Sequence, residues 1–151
     1  MSTRSTISIL TTKGHYRTVY CHSNGYPSYL GKMLLEHYNA PKLAKQLVAL
    51  GDLSIVRERL APNEGEVHSF DKPVRKGPNG GITLAYHRDR DEPLNIGFCR
   101  TEVELKEASG DCCADYMYVY DMEKGCWFVA PYASPAAKFV QLTEKIIKEN
   151  T

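Results

Sequence analysis

Apolar residues alternate through residues 6–11 (TISILT), with Ile7 and Ile9 on one side, which predicts a β-strand. Lys13-Gly14 signals a turn, and residues 15–21 (HYRTVYC) alternate again. Arg17, Val19 and Cys21 share one face there, and Tyr16, Thr18 and Tyr20 share the other, so the pair reads as an N-terminal hairpin. After Ser23-Asn24-Gly25 the period changes. Pro27 suits a first helical position, and Leu30, Met33, Leu34 and then His37 or Tyr38 recur at helical spacing, predicting a helix from Pro27 to about Tyr38. Asn39-Ala40-Pro41 breaks and restarts it; Leu43, Leu47 and Leu50 form a second apolar stripe, stopped by Gly51. Two such helices make a helical hairpin able to lie across a sheet face. Residues 55–60 are compatible with one more helical turn.

Periodicity then lapses. Residues 61–80 hold Pro62, Gly65, Pro73, Gly77, Pro78 and Gly80, with Arg75-Lys76 among them. A stretch of this length leaves two readings open: a mobile surface loop, or a ligand lid or oligomer arm. Residues 82–87 (ITLAYH) read as a strand ending in the alternating charges of residues 88–92. Thr101-Glu102-Val103-Glu104 is a capping box, predicting a helix over residues 101–109 closed by Gly110. Residues 114–120 (ADYMYVY) and 126–130 (CWFVA) flank Met122-Glu123-Lys124-Gly125 and form the clearest hairpin in the chain. Ser134-Pro135 then starts a C-terminal helix with Phe139, Leu142, Ile146 and Ile147 as its stripe. The order ββααβαββα predicts a single α+β domain over residues 1–151. Its expected core is an antiparallel sheet of about four to five strands, with helices mainly on one face.

Composition narrows the function. A chain of 151 residues that is 42% hydrophobic can bury a real core. Its 19 basic and 18 acidic residues give no overall field toward nucleic acid or membrane. The balance is uneven along the chain, with residues 1–76 carrying +5 and residues 77–151 carrying −4. No apolar run nears 18 residues and no leader precedes the domain, so neither a membrane span nor a signal peptide is expected. The five cysteines include no C-x-x-C pair and read as reduced, mostly buried thiols in a cytoplasm.

No catalytic signature emerges. The histidines stand at no metal spacing, Gly77-Pro78-Asn79-Gly80-Gly81 lacks the Lys-Ser/Thr of a phosphate loop, and no G-x-S-x-G appears, so no catalytic residue, metal or cofactor is expected. The densest concentration of recognition chemistry is the turn into the first helix. Tyr20, His22, Asn24, Tyr26 and Tyr29 crowd a helix N-terminus there, where free N–H groups favour an anion, with Arg17 and Lys32 close in sequence. These seven residues form the candidate ligand site. A second candidate is the stripe Tyr116, Tyr118 and Tyr120, which shares one strand face. With helices on the Met117 and Val119 side it would face outward, as an oligomer interface or a stacking platform.

The runs STISIL, Tyr20-Cys21-His22 with Gly25-Tyr26-Pro27, GKMLLEHYN, LVALGDLS, HRDRDEP and DYMYVYD…GCWFV resemble a group of small uncharacterised proteins of tailed bacteriophages and prophages. That resemblance implies a phage product acting in the host bacterial cytoplasm. Small phage proteins of this kind often counter host defence, some by sequestering cyclic-nucleotide signals between subunits. The expectation is therefore a non-enzymatic, homo-oligomeric binder of a small phosphorylated nucleotide. The alternative is an inhibitor that caps a host defence protein through the tyrosine face.

Overall fold

The computed structural model describes residues 2–132 and 136–150. Its first hairpin is β1 (Ser5–Leu10) against β2 (Tyr16–Cys21), paired antiparallel from Ser5↔Cys21 to Leu10↔Tyr16. The last hairpin is β6 (Tyr116–Asp121) against β7 (Cys126–Pro131). The two hairpins meet through β1 and β6, which run parallel with Ser5 opposite Tyr116 and Leu10 opposite Asp121. Short strands extend both sides: β3 (Leu53–Ile55), β4 (Leu84–Ala85), β5 (Gly97–Cys99) and β8 (Val140–Gln141). The sheet order is β4-β3-β2-β1-β6-β7-β8, with β5 also on β2.

The α+β class holds. The sheet, however, has eight strands and is mixed, because β1–β6 and β2–β3 are parallel. Hairpins are written in local sequence. Which edges they join is decided by burial of both faces at once.

The first helix begins with a π-helical turn, Pro27–Gly31, and continues as α1 (Lys32–His37). Next comes α2 (Pro41–Ala49), which has Pro41 in its first turn. These elements bury Leu30, Leu34, Tyr38, Ala44, Leu47 and Val48 against the sheet face carrying Ile7, Ile9, Val19, Tyr118, Tyr120, Trp127 and Val129. The C-terminal α5 (Glu144–Glu149), capped by the Thr143 hydroxyl, joins the same side through Ile146 and Ile147. The opposite face is covered by α4 (Glu102–Asp111), whose Leu105 packs with Tyr16, Cys99 and Val119. Thr101 caps α4 as its sequence predicts, accepting the Glu104 N–H at 3.1 Å. No helix among the described residues is long and apolar enough to cross a membrane.

Three local expectations change, and residues 61–80 gain defined contacts. Residues 55–60 are not helical: β3 ends at Ile55, and Arg59 bridges Ile82 in parallel. Only Leu84–Ala85 of residues 82–87 is strand, and α3 (Tyr86–Arg90) follows directly, its start fixed by the Asp89 carboxylate accepting the Ala85 N–H at 2.8 Å. Residues Ser134 and Pro135, the expected start of the last helix, lie outside the described residues; α5 itself begins at Glu144, so Phe139 precedes β8 and packs on the α4 side. Residues 61–80 are held by specific bonds. Arg59 forks onto Glu66 at 2.7 Å through both nitrogens, holding that carboxyl down to about 2. His68 Nδ1 accepts the Val74 N–H, Ile82 donates to the Val74 carbonyl, and the Arg90 guanidinium lies against the Phe70 and Tyr86 rings.

The largest correction concerns the tyrosines. Tyr118 and Tyr120 point into the helix-covered core, at 0% and 1% exposure, and the Tyr118 hydroxyl donates to the Gly25 carbonyl at 2.7 Å. Met117 and Val119 are buried as well, on the face toward α4. The stripe is thus neither an outward interface nor a stacking platform. The expected homo-oligomer loses the exposed aromatic face on which it rested.

Burial has a readout at high pH. Desolvation pushes the Tyr29 and Tyr38 hydroxyls up to about 12 and raises that of Tyr118 too. A folded-state pKa above the ordinary value of about 10 contributes stability that is fully present below pH ~10 and is lost as pH climbs toward ~12. Absorbance of ionised tyrosine should therefore rise in two stages, the second coinciding with loss of far-ultraviolet ellipticity between about pH 10 and 12. A single gradual rise with the fold intact would contradict this packing.

Candidate functional site

Strand alternation sends the seven predicted site residues in different directions. Tyr20 follows Tyr16 and Thr18 onto the α4 side of the sheet, where its hydroxyl shares a 2.6 Å hydrogen bond with His22 Nδ1. Arg17 is exposed on the other side of β2, opposite Ile9, away from that pair. Asn24 takes a left-handed conformation (φ 55°) so that the chain can reverse. Gly25 is then driven against the start of β1, donating to the Thr3 carbonyl; a Cβ there would stand 2.8 Å from Ser5 Cβ, so only glycine fits. Beyond the turn, Tyr26 is 37% exposed beside Tyr29, whose hydroxyl donates to the Val56 carbonyl at 2.7 Å. Tyr29 and Lys32 line a shallow recess together with Glu36 and Glu58.

The turn therefore does not gather its residues into one anion cradle. Pro27 has no N–H, and the N–H groups of Tyr29 and Leu30 both donate to the Tyr26 carbonyl. Glu36 and Glu58 further oppose an anion beside Tyr29. What the structure does bring together is Tyr20 with residues that sequence reasoning passed over.

That assembly is a cleft of about 430 Å³ beneath the C-terminal half of α4. Its floor is the sheet, through Thr6, Thr18 and Tyr20; Ala108 and Cys112 of α4 form one wall, and Asp52, Asn95 and Gly97 the other. Asp52 fixes the far wall. One carboxylate oxygen accepts the Tyr20 N–H at 3.0 Å, and the other accepts the Asn95 side-chain N–H at 2.8 Å. Thr6 Oγ1 and Ser109 Oγ share a 2.8 Å hydrogen bond that ties α4 to the floor. Gly97 passes so near the floor that a Cβ would meet Thr18 Cγ2 at 2.9 Å.

Two polar atoms here are shielded from solvent and lack a partner among the described residues: Thr18 Oγ1 and Arg4 Nε. Thr18 is 7% exposed and lines the cleft. Arg4 precedes β1 on the same side, near enough to Tyr20 for its charge to oppose the rise that burial imposes on the phenol. Ser8, paired with Thr18 across the hairpin, has a second orphaned hydroxyl. The Cys112 thiol donates to the Ser109 carbonyl; burial pushes its pKa up and the Asp52 carboxylate adds to the shift. That shift favours the protonated thiol. Among the described residues no group of three or more His, Cys, Asp or Glu is placed to hold a metal ion.

Some of this was available in the sequence. Thr6, Ser8, Thr18 and Tyr20 occupy one face of the first hairpin by simple alternation, a row of hydroxyls where a core strand usually carries aliphatic side chains. Asp52, Asn95 and Cys112 arrive from distant segments and had no local signal. Searches against protein-family models, curated proteins and solved structures find no match for the chain.

Proposed function

We propose that this chain binds a small phosphorylated ligand of the nucleotide class in the cleft under α4, and holds it without transforming it. The observation that carries the reading is the buried Thr18 hydroxyl, unpartnered among the described residues, on a side chain that lines the cleft. A hydroxyl left unsatisfied in the interior costs about 1–3 kcal/mol, and a ligand that supplies its hydrogen bond recovers that cost. Tyr20, which lines the cleft, is hydrogen-bonded to His22 and lies within the electrostatic reach of Arg4, a setting that suits a phosphate. The Asn95 amide, which also lines the cleft, suits the polar edge of a base. A thiol whose pKa is raised and a carboxylate engaged on both oxygens favour holding a ligand over transforming it. In the phage setting that the sequence resemblance implies, such a protein acts in the host cytoplasm by withdrawing a signal nucleotide from circulation. The alternative of an inhibitor docking through the tyrosine stripe lacks its surface, because Tyr118 and Tyr120 are core.

Calorimetric titration with a panel of mono-, di- and cyclic nucleotides tests the reading, followed by heat denaturation and recovery of the ligand. Intact recovered nucleotide is expected; altered nucleotide would show an enzyme. Thr18→Val removes the hydroxyl at nearly constant shape. It should leave the free protein as stable as before or more so, while weakening the bound nucleotide about 5- to 150-fold. Tyr26→Ala should change affinity little, since Tyr26 lies across the turn from the cleft. If Tyr26→Ala abolishes binding and Thr18→Val does not, the ligand sits on the turn and this site is wrong.

A further inference from the structure

A second cavity, of about 240 Å³, lies under the opposite end of α4, where the N-terminal turn of that helix meets the ends of both hairpins. Three aromatic rings, Tyr16, Phe128 and Phe139, line it together with Glu102, Asp121 and Lys124. Tyr16 is 8% exposed and lines the cavity. Burial holds its hydroxyl protonated, and the Glu102 and Asp121 carboxylates push in the same direction, which places both near it. Asp121 Oδ1 closes the hairpin turn by accepting the N–H groups of Glu123 and Lys124 at 2.9 and 3.0 Å. Its Oδ2 has no partner among the described residues. Glu102 also pairs with Lys106 one turn along α4 at 3.3 Å. The ammonium of Lys124 stands 5.3 Å from the centroid of the Phe128 ring, so a cation already uses one aromatic wall.

A carboxylate, a neutral phenol oxygen and ring faces around a small space form an acceptor set for a cation that donates hydrogen bonds. We propose that this cavity binds the primary ammonium group of a small alkyl amine, with the Lys124 side chain as its in-chain competitor. The ammonium donates to Asp121 Oδ2 and the Tyr16 hydroxyl, and lies over Phe128. Glu102 and Asp121 line the same space and weigh against phosphate, while Lys124 and the Lys106 paired with Glu102 offset part of their charge. The site is independent of the nucleotide cleft.

The test is titration of the full chain with 1,4-diaminobutane, followed by calorimetry and by the Phe128 and Phe139 ring resonances. Saturable binding is expected. Lys124→Ala should tighten it several-fold by vacating the ring, whereas a cavity built for an anion would lose affinity with the lysine. Phe128→Ala should weaken it about 2- to 30-fold, the span of one cation–π contact from exposed to desolvated. Asp121→Asn keeps the acceptor for the turn and removes only the charge, so it should weaken binding while the thermal midpoint stays put. Tetramethylammonium, which donates no hydrogen bond, should bind at least ten times more weakly than the diamine. Thr18→Val, at the other cleft, should leave diamine binding unchanged. No saturable binding in either the wild type or Lys124→Ala, or an unchanged affinity in Asp121→Asn, would overturn the assignment.

Discussion

Replacing Tyr118 with glutamate is expected to abolish cooperative folding of this protein. Tyr118 has no exposed surface, and its neighbours on the sheet face are Ile7, Tyr120, Trp127 and Val129. A carboxylate there is either ionised in an apolar surrounding, at an effective cost of several kcal/mol, or neutralised with its pKa far above the usual range. It also loses the hydroxyl that donates to the Gly25 carbonyl at 2.7 Å, the bond that seats the turn between β2 and the first helix. Against a typical domain stability of about 5–15 kcal/mol, that combination removes most or all of it. Tyr118→Phe separates the two effects. It keeps the ring and strands the carbonyl, so it should cost about 1–3 kcal/mol in a urea titration. A Tyr118→Glu variant that melts near the wild type and changes only its assembly state would show that the stripe is a surface after all.

The second large effect belongs to Trp127, the only tryptophan in the chain. It is fully buried, meets Tyr120 edge to face at 5.2 Å, and donates its indole N–H to the Tyr38 carbonyl at 3.0 Å. That carbonyl lies at the C-terminal end of α1, so one side chain fastens the sheet to the helical layer. Trp127→Ala should cost about 3–5 kcal/mol from lost transfer and the cavity left behind. Trp127→Phe keeps an aromatic ring but loses the hydrogen bond, about 1–3 kcal/mol, together with a smaller cavity cost. In the wild type the emission of this single indole should be blue-shifted and should move to longer wavelength in one transition with denaturant. A red-shifted native spectrum would contradict the packing.

How much of this was legible in the sequence differs by element, for physical reasons. Both main hairpins were legible, because period-two alternation and the Lys13-Gly14 and Lys124-Gly125 turns are local. The helix after Pro27 and the Thr101 cap were legible on the same grounds. Alternation states which residues share a face but not which face the helices cover. On β6 both sets are apolar, Met117 with Val119 and Tyr118 with Tyr120, so alternation alone lets the tyrosines face outward, whereas packing turns them inward. The short strands β5 and β8, three and two residues long, are too brief to show a period. The helical turn at Tyr86–Arg90 depends on Arg88 reaching the carbonyls of Leu60 and Thr83, which no local rule anticipates. The site divides the same way. Tyr20 and His22 share a face by spacing, whereas Asp52 and Asn95 join them only through the completed sheet.

The parallel seam between β1 and β6 also bears on how the chain reaches this structure. Ser5 must find Tyr116, with nearly the whole intervening sequence unfolded or folded elsewhere in the meantime. The loop to be closed is among the longest the chain could present, so the entropic cost falls early and its reward late. During synthesis the first hairpin emerges with one side of β1 open, an apolar strand edge that stays unpaired until residues 116–121 follow. Refolding should accordingly take milliseconds to seconds, slower than for helical domains of similar size, and its yield should fall as protein concentration rises.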